Sequence, residues 1–273
     1  MLLACLAVVA TAQFPHPVNV QWGGHVNEEA WLWEVEGATQ VVWFLPGGGW
    51  TQEPGEFTPT DLPPLMEPLY AAGVSVGVSG YNTTDAFPIP EFGIESLVAA
   101  SRHNLGYDDV TLLGRSAGAH MALFNGIAAG GPGGADRVCA IQTPNAYLPA
   151  FSPHALVEGL DHFWPGAEHL SQIPSQNQLY SSSAFWPLIA APNPERRFGI
   201  IGMPKPLEVP LLPLPYGSLT PAVDAHSAFS SQLQAYTLEA AGWNVDFVDT
   251  YNDGAPLEIS VEMEKWLLAE FGL

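Results

Sequence analysis

One pentapeptide in this chain of 273 residues has the residue types and spacing for nucleophilic chemistry: Gly114-Arg115-Ser116-Ala117-Gly118. It follows the apolar run Asp109-Val110-Thr111-Leu112-Leu113 and opens onto Ala119-His120-Met121-Ala122, so it reads as a strand, a sharp turn carrying G-x-S-x-G, and a helix. Glycines on both sides of a serine fit a turn too tight for neighbouring Cβ atoms, one that lifts the hydroxyl above the strand end. The Ala117 amide then opens a helix, where an N–H without an intrahelical partner and the helix dipole both favour developing negative charge.

A second set of donors is available about 65 residues earlier, in Pro46-Gly47-Gly48-Gly49-Trp50, directly after the apolar run Val41 to Leu45. Consecutive glycines let a backbone pass close to a reacting centre and turn its amides inward. A serine hydroxyl with such donors suits acyl transfer, in which a tetrahedral oxyanion needs hydrogen bonds that form as its charge develops.

These segments resemble the α/β-hydrolase esterases of the hormone-sensitive-lipase and kynurenine-formamidase-like kind, including the BD-FAE group. The likeness rests on Gly47 to Trp50, on Ser75 to Asn82 with its terminal Tyr81-Asn82, on Phe87-Pro88-Ile89-Pro90, and on Gly114 to Ala122. It covers roughly residues 38 to 130 by motif and the rest by the order of elements. The resemblance implies a mostly parallel sheet with helices on both faces, a cap insertion after the sixth strand, and carboxylic ester hydrolysis through Ser116. It also implies an oxyanion hole from the amides of Gly48, Gly49 and Ala117. Pro46 stands where the family generally carries a His that braces the loop, Asn82 where it usually has Arg, and Arg115 is unusual beside the nucleophile. His120 falls at a helix position with a structural task, so it reads as packing.

In the family the acid follows the seventh strand and the His follows the eighth. The eighth strand is recognisable in Asn244 to Thr250, but the loop after it runs Asp253-Gly254-Ala255-Pro256, with proline in the usual His position and no histidine downstream. Proline has no titratable group to take or return a proton. Two segments compete for the seventh strand. If it is Leu211 to Tyr216, Thr220 replaces the acid; if it is Phe198 to Gly202, the acid position lies near Lys205, with Glu208 and Asp224 as displaced candidates. His226 with Asp224 is the candidate catalytic pair, and His154, His162 and His169 in the cap are other sources of an imidazole, since triads are defined by geometry and not by chain order. Two functions therefore stand: a serine esterase acting on a small-molecule ester or acyl substrate, and a non-catalytic protein of the same fold that binds in the same pocket. Neither calls for a cofactor or a metal.

The elements that must position these residues are legible as short β-rich runs alternating with helical patterns, the signature of a parallel sheet between helices. Strands are expected at Val18 to Trp22, Trp31 to Val35, Gln40 to Leu45 and Val74 to Val78, and helices at Glu91 to Asn104, about Val223 to Ala241 and about Leu257 to Phe271. From about Pro144 to Pro194 periodicity fades, which marks the cap, and its aromatics (Tyr147, Phe163, Trp164 and Trp186 among them) offer an apolar wall for an acyl or aryl group. Residues 13 to 273 form one domain on this reading. Met1 to Ala12 is almost wholly apolar and ends Ala10-Thr11-Ala12, the form of a signal-peptidase site, so export is expected. Cleavage there would leave Cys139 as the sole cysteine, without an intramolecular disulfide partner. With 28 acidic against seven basic residues the net charge is -21, which excludes a phosphate-binding surface for nucleic acid. No run has the length of a membrane span.

Overall fold

The computed structural model describes residues 14–50, 62–85, 89–129, 131–143, 192–202, 228–249 and 261–271. The expected export segment Met1 to Ala12 and nearly all of the expected cap lie outside these residues.

Eight strands form one sheet: β1 (Val18–Gln21), β2 (Glu29–Trp33), β3 (Gln40–Leu45), β4 (Ser75–Ser79), β5 (Asp109–Arg115), β6 (Arg137–Ile141), β7 (Arg197–Gly202) and β8 (Asn244–Asp249). Their order is β1-β2-β4-β3-β5-β6-β7-β8, with β1 and β2 antiparallel to their neighbours and the rest parallel. The helices are α1 (Glu67–Ala71), α2 (Ile89–His103), α3 (Ala117–Ala128), α4 (Ala228–Ala240) and α5 (Val261–Glu270). The chain steps from β3 outward to β4, then reverses across β3 to β5. Because such crossovers are right-handed, the reversal sends α1 and α2 to opposite faces. Accordingly α1 packs with α5, and α2 packs with α3.

β3, β4, β5 and β6 are buried along nearly their whole length, as expected of strands covered on both faces. Their Val, Ile and Leu runs are too continuously apolar to face water on either side. One buried polar chain crosses this core: the Trp43 indole N–H donates to the Ser101 hydroxyl (2.8 Å), which in turn donates to the Leu97 carbonyl (2.8 Å). Gly77 on β4 makes room for that indole, since a Cβ there would lie 2.1 Å from a Trp43 ring carbon. The expected strands and helices appear, with bounds within a few residues of expectation wherever those bounds are described; the expected helix starts near Val223 and Leu257 lie outside the described residues, and the seventh strand is Arg197–Gly202, paired parallel with β6 and β8. That decides between the two candidates for it. Cys139 is buried and free. Among the described residues no helix is long and apolar enough to cross a membrane.

Candidate active site

The reversal of strand order between β3 and β5 opens a crevice at their C-terminal ends, where open α/β sheets bind ligands. Ser116 stands at this point, between β5 and α3, with φ 52° and ψ −119°. A side chain adopts such backbone at a cost of order 1–3 kcal/mol, so surrounding structure must impose it. The Ser116 N–H donates to the Ile141 carbonyl on β6 (3.0 Å), and the Ser116 carbonyl accepts the His120 N–H (3.1 Å). A Cβ on Gly114 would lie 2.2 Å from the Gly118 oxygen, and one on Gly118 would lie 2.0 Å from the Leu45 oxygen. The first glycine therefore lets the turn close, and the second lets α3 press onto the end of β3.

The glycine loop after β3 meets Ser116 through its first glycine. A Cβ on Gly47 would stand 3.0 Å from the Ser116 Cβ and 3.6 Å from its hydroxyl oxygen. Gly48 (φ 129°), Gly49 (φ 63°) and Trp50 (φ 62°) then carry the chain away in a tight turn of positive φ. Of the three residues expected to supply oxyanion donors, Ala117 opens α3, while Gly48 and Gly49 follow immediately after this contact.

Tyr81 supplies a brace for the loop that Pro46 lacks. Fully buried, it donates its hydroxyl toward the carbonyls of Pro46 (3.2 Å) and Gly47 (3.4 Å). Burial, and next the charge of Glu91, push its phenol well above the usual range, so it stays a donor at any working pH. Underneath, His120 and Glu91 are both fully buried with Nδ1 3.4 Å from Oε1. The His120 ring meets Trp50 edge-on, with centroids 5.5 Å apart. His120 thus packs as expected, and together with Trp50 it joins α3 to the far end of the loop.

Glu91 and Tyr81 were not singled out as functional by sequence reasoning. The signal available was their placement: Tyr81 two residues beyond an apolar strand and Glu91 in the first turn of a helix. Their partners are distant in sequence: the Pro46 and Gly47 carbonyls lie 35 and 34 positions from Tyr81, and His120 lies on the next helix from Glu91. His226, Asp224, Glu208, Lys205, Thr220, Pro256 and the cap histidines lie outside the described residues. Among the described residues no cluster of three or more His, Cys, Asp or Glu side chains is arranged to hold a metal ion.

No family model and no curated protein sequence matches the chain. Solved structures do. A truncated carbohydrate esterase from gut microbiota superposes with a TM-score of 0.66 at 13% identity, covering 94% of each chain. Thermogutta terrifontis esterase 2, phosphoramylated by tabun, gives 0.59 at 13% identity over 95% of this chain and 94% of its own. A thermostable esterase from Pseudomonas putida ECU1011 gives 0.56 at 17% identity over 93% and 80%. The chain has the α/β-hydrolase fold.

Proposed function

We propose that the chain is an exported serine hydrolase that cleaves a carboxylic ester of a small molecule through an acyl-Ser116 intermediate. One observation carries the reading: Ser116 is held at φ 52° in the β5–α3 turn, with Gly47 of the glycine loop laid directly against it. Nothing in the packing of a strand and a helix requires that strain, whereas an exposed nucleophile above the sheet edge does. Structures of the same fold include proteins whose names identify them as esterases, which supports the choice of reaction class.

In this reading the Ser116 hydroxyl attacks the ester carbonyl, and the amides of Gly48, Gly49 and Ala117 receive the oxyanion. The alcohol leaves, and water then releases the acid from the acyl-serine. The proton taken from Ser116 must be held by a base and returned to the departing alcohol. Pro256 occupies the position at which the resemblance places that base, and His226 with Asp224 is the candidate replacement. A fluorophosphonate probe tests the reaction class: rapid labelling of the wild type that is absent in Ser116→Ala supports an activated serine. Failure to label leaves the non-catalytic binding reading. Aryl ester turnover then tests the base. If His226 serves, His226→Ala abolishes it. If nothing serves, turnover is limited to the roughly 10³–10⁴-fold that an oxyanion hole and binding give over water, and Pro256→His raises it.

A further inference from the structure

Three non-glycine residues among those described have positive φ: Trp50 (62°), Ser116 (52°) and Gln142 (51°). They follow the C-terminal ends of β3, β5 and β6, which are neighbours in the sheet. Trp50 closes the glycine loop and Ser116 is the nucleophile, while Gln142 belongs to neither. Strained backbone persists only where its surroundings impose it, and it gathers where function uses it. At Gln142 the imposition is visible: its N–H donates to the Ile201 carbonyl on β7 (3.0 Å), and the preceding Ile141 carbonyl receives the Ser116 N–H (3.0 Å). The strained residue is therefore one peptide unit from the group that fixes the nucleophile's backbone.

The side chains at this point are unmatched. Gln142 is 5% exposed, and its carboxamide has no hydrogen-bond partner among the described residues. Thr143, next in the chain, is fully buried, and its hydroxyl has no hydrogen-bond partner among the described residues. Buried polar groups are normally satisfied, because leaving them unmatched costs stability. A buried hydroxyl without a partner next to a largely buried carboxamide, both beside Ser116, is suited to a bound partner. A carboxamide is neutral, offers both a donor and an acceptor, and does not titrate, so it moves no proton and is matched on both counts by a hydroxyl, which also gives and takes a hydrogen bond.

We propose that Gln142 is a substrate-contacting residue whose carboxamide hydrogen-bonds a free hydroxyl of the ester held at Ser116. The preferred substrate class is then a hydroxylated ester. The proposal rests on the ester hydrolase reading above and extends it to specificity.

The test uses esters matched in size, followed by pH-stat: 2-hydroxyethyl acetate against propyl acetate for the alcohol side, and methyl 3-hydroxypropanoate against methyl butanoate for the acyl side. In one of the two pairs the wild type is expected to favour the hydroxylated member about tenfold in kcat/KM, as one hydrogen bond to a neutral group allows. Gln142→Gly accepts the positive φ and lacks the amide. It should bring that ratio toward one through the KM of the hydroxylated ester, with a melting temperature no lower than wild type. Gln142→Asn tolerates the same backbone and keeps an amide, so it should fall between. No preference in either wild-type pair, a preference that survives Gln142→Gly, or an equal fall for both members of a pair would each overturn the proposal. If the wild type neither cleaves these esters nor labels with fluorophosphonate, the hydrolase reading fails instead. Calorimetric binding of the same four esters then decides on Gln142, with the tenfold preference and its loss in Gln142→Gly sustaining the proposal and equal affinities overturning it.

Discussion

At the C-terminal edge of the sheet, Trp50, Ser116 and Gln142 hold positive φ, and Gly47, Gly114 and Gly118 leave no room for a Cβ without a contact of 3.0 Å or less. At the N-terminal edge the materials are opposite. Arg102, Arg137, Arg196 and Arg197, four of the seven basic residues in the chain, gather there. Arg102 donates to Asp136 (2.6 Å), whose carboxylate also accepts the Val110 N–H (2.8 Å). Arg137 pairs with Asp109 and lies over the Phe271 ring. Arg197 reaches Asp246 (2.7 Å) and Glu270 (2.8 Å), and Arg196 donates to the carbonyls of Gly126 and Ala129. In a chain with so strong an excess of acid, scarce cations have been spent tying α2, α3 and α5 to the strand starts. One edge stores strain where substrate would bind, and the other fixes the frame that keeps the strain in place.

The largest effect expected from this contrast is at Ser116. Ser116→Gly should cut fluorophosphonate labelling by at least about a thousandfold, while the melting temperature holds level or rises because glycine accepts φ 52° without strain. A clear drop in melting temperature would show that the elbow stabilises the fold, and the contrast would collapse.

Gly118→Ala should come next. Its Cβ would lie 2.0 Å from the Leu45 oxygen, which backbone movement alone can relieve, so a loss of about 3 kcal/mol in urea denaturation is expected, together with slower labelling. Wild-type stability in this variant would mean that α3 and β3 have slack between them.

Arg196→Met probes the opposite edge. Arg196 is 7% exposed, and burial lowers its pKa, with Asp136 opposing and Arg102 adding to the shift. Removing it strands two carbonyls, so about 1–3 kcal/mol should be lost, or roughly 2–4 °C per kcal/mol for a domain of this size. The rate of Ser116 labelling should not change. If labelling falls and the melting temperature stays, the two edges are coupled and the division of labour is wrong.

The smallest effect concerns pH. Burial raises the Glu270 carboxyl above the usual carboxylate range, Arg197 and Arg137 pull it back, and Asp246 adds to the rise. Because the folded value lies above the unfolded one, the neutral acid favours the fold. That contribution is complete below the ordinary carboxylate pKa and disappears as pH rises through the raised value. Glu270→Gln should therefore flatten the decline in melting temperature across that window. Curves that stay parallel would show that the pair with Arg197 sets the stability of this corner.

Local residue order was enough for the elbow and the glycine loop, because G-x-S-x-G after an apolar strand and Gly47-Gly48-Gly49 after another are constraints written into neighbouring positions. The alternation of β-rich and helical runs likewise placed β3, β5, α2 and β8, since strand and helix periods are local properties. Strand order, and with it the choice of Arg197–Gly202 as the seventh strand, came only with pairing between residues far apart in the chain. The same holds for Gly47 as the glycine seated on Ser116, and for the Tyr81 brace, which acts across 35 positions. It holds also for Gln142, whose φ is imposed by hydrogen bonds from β5 to β6 and from β6 to β7. A polar residue after an apolar strand reads as an ordinary strand end, and only the neighbouring strands in the sheet make it a neighbour of Ser116.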